Sequence, residues 1–297
     1  MIIPPYLNQG DKVSVIATAK KLDKKNTLHG IEMLKHWGLQ VIIGGHAFDS
    51  FHQFAGTDTH RAEDLQDALD NPEFKAIFIA RGGYGTTRII DDINYDRLLD
   101  RPKWVCGFSD ITALHFQLFK LGIASLHSPM PSFFHAVDET SIKFMRKSLF
   151  GGADKITVAP HPLNKNGEGN GRLIGGNLSI ICHLLGTATG VDTAGTILFI
   201  EDVDEQLYRI DRMMLQLKRA GLLHNLAGLI VGQFSEIEED KDGFGFDAME
   251  IISSHIAEFD YPVAFNFPVG HTKENLSITV GGAGSLSVSE AISELSC

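Results

Sequence analysis

The sequence predicts an α/β protein with two domains, and three observations support this prediction. Short apolar segments rich in β-branched residues recur along the chain, and segments with the spacing of amphipathic helices separate them. Strands that alternate with helices indicate a mostly parallel sheet covered on both faces. The length of 297 residues is about twice the roughly 150 residues of a typical single domain.

Composition and charge exclude several classes of protein. Hydrophobic residues make up 43% of the chain and charged residues 21%, as in ordinary globular proteins. The net charge of −11 repels nucleic-acid phosphates and anionic lipid. No secretory signal and no apolar run near the ~20 residues of a membrane span is visible. We therefore expect a cytoplasmic protein without a nucleic-acid or membrane partner.

The cysteines predict neither a disulfide framework nor a metal site. Their number is odd and their spacing is irregular, at Cys106, Cys182 and Cys297. No His-Glu-x-x-His or Cys-x-x-Cys pattern occurs, so a catalytic zinc is disfavoured. We expect reduced thiols, no metal and no cofactor.

The first half of the chain shows the alternation clearly. The predicted strands are 12–17, 39–43, 76–80, 103–107 and 123–127, and the predicted helices are 26–37, 59–69 and 111–121. Gly38 stops the first helix, Thr59 caps the second, and Asn71-Pro72 ends it. These elements define a predicted N-terminal domain, residues 1–158.

The second half begins with a predicted interdomain linker. Residues 151–176 are rich in Gly, Pro and Asn, which is typical of loops. Beyond it, the pattern predicts helices at 177–185 and 208–220 and strands at 196–200, 227–231 and 263–265. The tail, 277–288, is predicted to be a hairpin around Gly281–Gly284. These elements define a smaller C-terminal α/β domain, residues 159–297.

Ligand sites in open α/β sheets lie at the carboxyl ends of strands, where helix N-termini begin. Ser109 stands at such a place, in Cys106-Gly107-Phe108-Ser109-Asp110. A serine on a sharp strand-to-helix turn exposes its hydroxyl, and the next amide is free to bind an oxyanion. The final glycine of a Gly-x-Ser-x-Gly elbow is absent, and a helix-capping serine is the alternative interpretation.

A glycine-rich loop follows the strand before this one, at Arg81-Gly82-Gly83-Tyr84-Gly85. Such a loop lets the backbone approach a ligand and directs amides at an anion. It lacks the Lys-Ser/Thr pair of a P-loop. A phosphate cradle, an oxyanion hole and a plain tight turn all fit the pattern.

Two carboxylates and two histidines complete the candidates. Glu201 and Asp202 follow a continuous apolar strand, and an acid there can orient an imidazole. The pattern does not separate the two acids, and a solvated strand end is the alternative. His127 and His271 each follow a strand, where a neutral histidine can act as a general base.

Taken together, these segments resemble the serine LD-carboxypeptidase family, which includes microcin-immunity peptidases. The matching motifs occur in the family's order and span nearly the whole chain. They are Pro4-Pro5-x-Leu7-x-x-Gly10-Asp11, Arg81-Gly82-Gly83-Tyr84-Gly85, Gly107-Phe108-Ser109-Asp110-Ile111-Thr112, Gly175-Gly176-Asn177-Leu178, Phe199-Ile200-Glu201-Asp202 and Gly270-His271. One departure is Ser128, where many relatives carry glycine in His-Gly-Pro-Met, which leaves the shape of that loop open.

The resemblance implies an N-terminal domain similar to class I glutamine amidotransferases and an active site between the two domains. It implies Ser109 as the nucleophile, His271 as the general base and Glu201 as its orienting carboxylate. The backbone amides of Gly83 and Asp110 are the implied oxyanion hole. The resemblance also implies a homodimer.

The implied substrate is a cytoplasmic murein tetrapeptide that loses its terminal D-alanine at an L,D bond, in peptidoglycan recycling. A cationic residue must bind the free carboxylate, and the sequence does not identify it. One alternative substrate is an aminoacyl-nucleotide conjugate, as cleaved by the immunity-type relatives. A second alternative is a non-catalytic, two-lobed protein that binds a small ligand.

Overall fold

A computed structural model describes residues 1–152, 155–238 and 243–296. Contacts between residues divide the chain into two compact units. The first unit comprises Met1–Ala153 and Lys273–Val280, and the second comprises Asp154–Thr272 and Gly281–Cys297. The segment Lys273–Val280 therefore joins the first unit, although it lies within the C-terminal domain predicted from the sequence. Cys106 and Cys182 are buried free thiols, and Cys297 lies outside the described residues.

The first unit is built on a six-stranded sheet in the order β11-β5-β4-β3-β1-β2. Its strands are β1 (Lys12–Ile16), β2 (Gln40–Ile43), β3 (Phe74–Ile79), β4 (Trp104–Gly107), β5 (Ser125–His127) and β11 (Ile278–Val280). Its helices are α1 (Lys24–His36), α2 (Asp58–Asp70), α3 (Asp96–Asp100), α4 (Thr112–Lys120) and α5 (Glu139–Leu149). Five strands pair in parallel, and β11 pairs antiparallel with β5.

Local sequence explains where these helices begin and end. The Asp23 carboxylate accepts from the amide of Asn26 at the start of α1, and the Thr57 hydroxyl accepts from the amide of His60 at the start of α2. The prediction that Thr59 caps α2 is wrong, because the helix begins one residue earlier and Thr59 lies inside it. Asn71 ends α2, as predicted from its position before Pro72.

The second unit is built on a seven-stranded mixed sheet in the order β10-β9-β8-β7-β12-β13-β6. Its strands are β6 (Lys155–Val158), β7 (Gly167–Asn177), β8 (Thr196–Val203), β9 (Gly228–Ser235), β10 (Val263–Ala264), β12 (Ala283–Val288) and β13 (Ser293–Ser296). Its helices are α6 (Leu178–His183), α7 (Leu207–Arg219) and α8 (Ala248–Ile256). Strands β7 to β10 pair in parallel, and β6, β12 and β13 pair antiparallel.

The segment predicted to be a linker, 151–176, instead contains β6 and most of β7. Its glycines reflect close packing of the sheet. A Cβ on Gly169 would lie 1.8 Å from the carbonyl oxygen of Ala227, and one on Gly175 would lie 1.8 Å from that of Phe199. Glycine is required where the backbone of another strand or loop comes this close. Composition alone does not distinguish such a strand from a loop.

The prediction of a C-terminal hairpin is also wrong. β11 pairs with β5 in the first unit, whereas β12 pairs with β7 and β13 in the second. Gly281, with a φ of +85°, follows β11 directly and allows the chain to turn away from it. The predicted α/β class is confirmed, with a mostly parallel sheet in the first unit. In the described ranges, no helix has both the length and the apolar character needed to cross a bilayer.

We predict that Gly175→Ala lowers the free energy of unfolding by about 3 kcal/mol or more, because its new Cβ meets β8 and the backbone φ is +152°. Gly186→Ala is the matched control. Gly186 also has a positive φ, of +77°, but nothing lies within 4 Å of its Cβ position, so we expect a loss of about 1–2 kcal/mol. Urea unfolding followed by circular dichroism measures both, and equal losses would contradict the role of the β8 contact.

Candidate active site

Ser109 lies on a strained turn between β4 and α4. Phe108 is extended, and Ser109 has a φ of +65° where it begins the short 3₁₀ turn Ser109–Ile111. A left-handed conformation in a residue other than glycine costs on the order of 1–3 kcal/mol and often marks a functional site. No side chain caps this turn or α4, so Ser109 does not act as a helix cap. Ser109 is half-buried, and its position matches that of the candidate nucleophile on a strand-to-helix turn.

A buried histidine holds the residue at the end of β4, Gly107, two positions before Ser109. The Nε2 of His115 lies 2.8 Å from the carbonyl oxygen of Gly107, and its Nδ1 lies 2.7 Å from the Ser125 hydroxyl. Because a carbonyl only accepts, Nε2 carries the proton and Nδ1 accepts from Ser125. Burial lowers the pKa of His115 to about 4, so the ring stays neutral and keeps this tautomer.

Sequence reasoning missed His115, because it lies within an apolar helical pattern. One signal was available, since it stands six residues after the candidate nucleophile, in the helix that the nucleophile turn begins. The amide of Ser128 also donates to the Gly107 carbonyl, at 3.1 Å. The loop that departs from the family pattern therefore also supports the turn.

The glycine-rich loop after β3 packs directly against the nucleophile turn. A Cβ on Gly82 would lie 3.3 Å from Ser109 Cβ and 3.4 Å from the Asp110 amide nitrogen. The Thr86 amide donates to Asp110 Oδ2 at 2.8 Å, which ties the far end of the loop to the same turn. Gly83 has a φ of +111°. The first unit thus brings together Ser109 and the segments that carry both candidate oxyanion donors.

In the second unit, Glu201 and not Asp202 contacts His271. The Nδ1 of His271 lies 2.7 Å from Glu201 Oε2, and Glu201 is fully buried. The pairing of β8 with β9 changes register between Ile200 and Asp202, which is the position of Glu201. A carboxylate on Nδ1 leaves Nε2 as the proton-accepting atom of a neutral imidazole.

A hydrogen bond to the His271 backbone and the glycine before it also position His271. The Ser235 hydroxyl donates to the His271 carbonyl at 3.1 Å. A Cβ on Gly270 would lie 3.1 Å from Glu201 Cβ and 3.1 Å from Glu201 Oε2. Glycine at this position, with a φ of +131°, therefore lets the chain pass close enough for the imidazole to meet the carboxylate.

Asp202 performs a different task at the start of α6. Its Oδ1 accepts from Asn177 Nδ2 at 2.7 Å and its Oδ2 from the Ser179 amide at 2.9 Å. Asn177 in turn accepts from the Ile180 amide as the helix N-cap. Asp202 therefore holds the Gly175-Gly176-Asn177-Leu178 motif in place.

The pKa values of Asp202 and His271 follow from burial and charge. Burial and the negative charge of Glu201 raise the pKa of Asp202 to about 7. Burial lowers the pKa of His271, but the charge and hydrogen bond of Glu201, with Asp202 and Glu236 beside them, outweigh it and place the pKa above its ordinary value.

His127, the other candidate base, lies in the first unit and is fully buried on β5. Its ring centroid is 5.8 Å from that of Phe108 in an edge-on arrangement. The ring therefore packs beneath the nucleophile turn. This burial favours a packing role for His127 over proton transfer with a substrate.

Comparisons with known proteins identify the family of the chain. Residues 13–128 match the model of the LD-carboxypeptidase N-terminal domain, and residues 170–286 match that of the LD-carboxypeptidase C-terminal domain. A probable murein peptide carboxypeptidase of Bacillus subtilis is 34% identical over 293 residues, which covers 97% of this chain and 92% of that protein.

Two solved structures have the same fold. Muramoyltetrapeptide carboxypeptidase from Oxalobacter formigenes superposes with a TM-score of 0.88 at 28% identity, over 96% of this chain and 98% of that one. The microcin C7 self-immunity protein MccF, in complex with aspartyl sulfamoyl adenosine, superposes with a TM-score of 0.88 at 20% identity, over 100% and 99% of the two chains. The chain therefore belongs to the LD-carboxypeptidase family and is a serine-type hydrolase.

Proposed function

We propose that this enzyme hydrolyses the L,D-peptide bond before the terminal D-alanine of murein tetrapeptides, in the cytoplasm and within peptidoglycan recycling. The observation that carries the proposal is the left-handed Ser109 beside the glycine-rich loop, in a chain of this family. The names of the relatives support the substrate, since one acts on murein peptides and another on a muramoyl tetrapeptide. As the family resemblance implies, we propose a homodimer.

In the proposed mechanism, His271 Nε2 takes the proton from the Ser109 hydroxyl as its oxygen attacks the amide carbonyl. The imidazolium then gives that proton to the amine of the leaving D-alanine. A water molecule hydrolyses the acyl-enzyme with the same base. Glu201 holds the tautomer and stabilises the imidazolium through its 2.7 Å contact, without taking up the proton.

The amides of Gly83 and Asp110 are the proposed donors to the oxyanion. Donors fixed before the reaction need no reorganisation as charge develops, and removing one such donor in other enzymes costs roughly 3–4 kcal/mol. The close packing of Gly82 on Ser109 and on the Asp110 amide supports this assignment.

We further propose Lys20 as the residue that binds the free carboxylate of D-alanine. Its side chain packs on the glycine-rich loop, because a Cβ on Gly83 would lie 2.6 Å from Lys20 Cδ. Arg81 lies on the same loop, but its guanidinium donates to the Lys21 carbonyl at 3.0 Å. Lys20 is therefore proposed because its side chain packs on the loop that carries the Gly83 amide.

We predict that Ser109→Ala lowers kcat/KM for disaccharide tetrapeptide by roughly 10⁴–10⁶-fold, the range found for serine triads. The variant folds normally, because alanine removes only the hydroxyl. D-Alanine release and thermal unfolding measure the two properties. Release near the wild-type rate would remove Ser109 from the mechanism, whereas no release by the wild-type protein itself would favour the non-catalytic ligand-binding role.

We predict that Glu201→Gln lowers kcat by roughly 10³–10⁴-fold, because the amide donates to Nδ1 and selects the wrong imidazole tautomer. In the pH profile of the residual activity, we expect the fall on the acid side to occur at lower pH than in the wild type. The base must be neutral, and loss of the Glu201 charge lowers the pKa of His271.

Asp202→Asn is the matched control. The Asp202 carboxylate stands next to Glu201 in the sequence, but it accepts from Asn177 and Ser179. We expect less than about a tenfold loss of kcat from it, consistent with a group that touches no reacting atom. A larger loss of kcat from Asp202→Asn than from Glu201→Gln would assign the orienting role to Asp202.

A second candidate function is cleavage of an aminoacyl-nucleotide conjugate, because the MccF fold matches the whole chain. A nucleotide base is commonly bound by stacking on an exposed aromatic ring. Trp37 and Trp104 are only 7% and 2% exposed and belong to the core of the first unit. Neither tryptophan is available for stacking, so a base would have to stack on another ring, such as Tyr84 of the glycine-rich loop, which is 43% exposed.

Parallel assays with disaccharide tetrapeptide and aspartyl sulfamoyl adenosine separate these candidates. We predict a kcat/KM at least 100-fold higher for the tetrapeptide, because the relatives named for murein peptides are 34% and 28% identical to this chain, whereas MccF is 20% identical. Ser109→Ala is the control for both substrates. A higher value for the sulfamoyl adenosine would identify an immunity-type enzyme.

A further inference from the structure

A cluster of two histidines and one aspartate lies in the first unit, outside the proposed catalytic groups. His46 and Asp49 belong to the loop that follows β2, and His60 lies in the first turn of α2. Ser109 follows β4, and two strands separate β2 from β4 in the sheet. The proposed reaction makes no use of these three side chains.

Their donor atoms converge on one point. The Nδ1 of His46 lies 2.8 Å from Asp49 Oδ2, and the Nδ1 of His60 lies 2.9 Å from the same oxygen. One ligand atom from each of the three residues lies within 4.8 Å of the others. Ligands of a tetrahedral zinc ion, with bonds of about 2.0–2.1 Å, stand about 3.3 Å apart. Small side-chain shifts therefore convert the cluster into a coordination site.

A neutral His46 ring cannot donate a hydrogen bond to both of the carboxylates that face it. Its Nδ1 faces Asp49, and its Nε2 lies 3.5 Å from Glu63 Oε2. A neutral imidazole has only one N–H, so one of its two nitrogens then faces a carboxylate with a lone pair unless the ring takes up a second proton. A metal ion on Nδ1 lets a neutral ring satisfy both contacts, because the ring proton is then on Nε2 and points at Glu63. Carboxylates commonly support metal-bound histidines in this way.

The surroundings of the cluster favour a cation. The two imidazole rings stack at a centroid distance of 4.0 Å, an arrangement in which two separate imidazolium charges repel each other. Both oxygens of Asp64 accept from the His46 amide, and Glu63 stands beside the ring. Three carboxylates therefore lie around the two histidines, and a shared divalent ion offsets their negative charge without placing a charge on either ring.

We propose that His46, Asp49 and His60 bind a divalent transition-metal ion of the zinc class, with Glu63 supporting His46 through its outer nitrogen. Imidazole nitrogen with a single carboxylate suits Zn²⁺, Co²⁺ or Ni²⁺, whereas Mg²⁺ and Ca²⁺ prefer oxygen ligands. The three side chains are 34–42% exposed, so water completes the coordination.

This ion is structural in the proposal. It links the loop after β2 to the start of α2. The same loop carries Phe54, whose ring centroid lies 5.9 Å from that of Tyr84 on the glycine-rich loop. The Lys21 amide also donates to the Gln53 carbonyl of this loop, at 2.9 Å. Metal binding therefore restrains a segment that packs against the residues next to the proposed oxyanion donors.

The test uses tag-free, full-length protein stripped with EDTA and titrated with ZnCl₂ in a calorimeter. We expect one Zn²⁺ per chain, a rise in Tm on binding, and the visible absorption of tetrahedral Co²⁺ when CoCl₂ replaces zinc. MgCl₂ produces neither effect. Absence of Zn²⁺ binding at millimolar concentration overturns the proposal.

Variants locate the ion. His46→Gln and His60→Gln keep a polar side chain but remove a ligand, and we expect each to weaken Zn²⁺ binding at least 100-fold. Glu63→Gln removes the supporting carboxylate, and a loss of about 10–100-fold is expected for such a group. The metal-free Tm of each variant shows that it is folded.

His52→Asn is the matched control. His52 is an exposed histidine of the same loop with a φ of +55°, a conformation that asparagine tolerates. We expect its Zn²⁺ affinity to equal that of the wild type. Binding that persists within tenfold in His46→Gln or His60→Gln, or that is lost in His52→Asn, overturns the assignment.

Discussion

The Gly107 carbonyl and the buried imidazole that donates to it fix the geometry on which the rest of the first unit's site depends. A left-handed serine is unfavourable in isolation, so the residues around it must over-determine its backbone. Here the strand before it, the helix after it and the loop after β5 all meet at one carbonyl oxygen. Because burial lowers the pKa of His115 to about 4, the ring is neutral near neutral pH and its N–H donates to the Gly107 carbonyl. The turn is therefore held by a hydrogen bond that does not titrate with the reaction.

A second constraint is the absence of side chains at a few positions. Gly82 lies against Ser109 and the Asp110 amide, and Gly270 lies against Glu201. Any Cβ there would separate the groups that the proposed reaction brings together. Gly175 has a similar role further from the site, because it lets β7 approach β8, the strand that carries Glu201. Three of the resemblance motifs thus contain a place of close backbone approach, beside a proposed site residue or the strand that carries one.

Patterns in short stretches of the sequence were sufficient to predict much of the fold and some of the candidate site. The alternating strands and helices of the first unit lie near their predicted positions, because the apolar period of each is a local property. Ser109 was recognisable for the same reason, since its turn is encoded in five consecutive residues. The choice between Glu201 and Asp202 was not local, because it depends on His271, 70 residues away. The predicted hairpin failed likewise, since β11 and β12 take their partners from β5 and β7.

Placing Glu201 and Asp202 side by side has a thermodynamic consequence. Both are buried at the end of β8, and the charge of Glu201 adds to burial in raising the pKa of Asp202 to about 7. A carboxyl group whose pKa is higher in the folded than in the unfolded state stabilises the fold at low pH, and this stability is lost as pH rises towards 7. The donors from Asn177, Ser179 and Val203 offset some of the cost. Near neutral pH, the buried Asp202 beside Glu201 therefore costs the fold stability, which is the common trade-off between a proposed functional site and its scaffold.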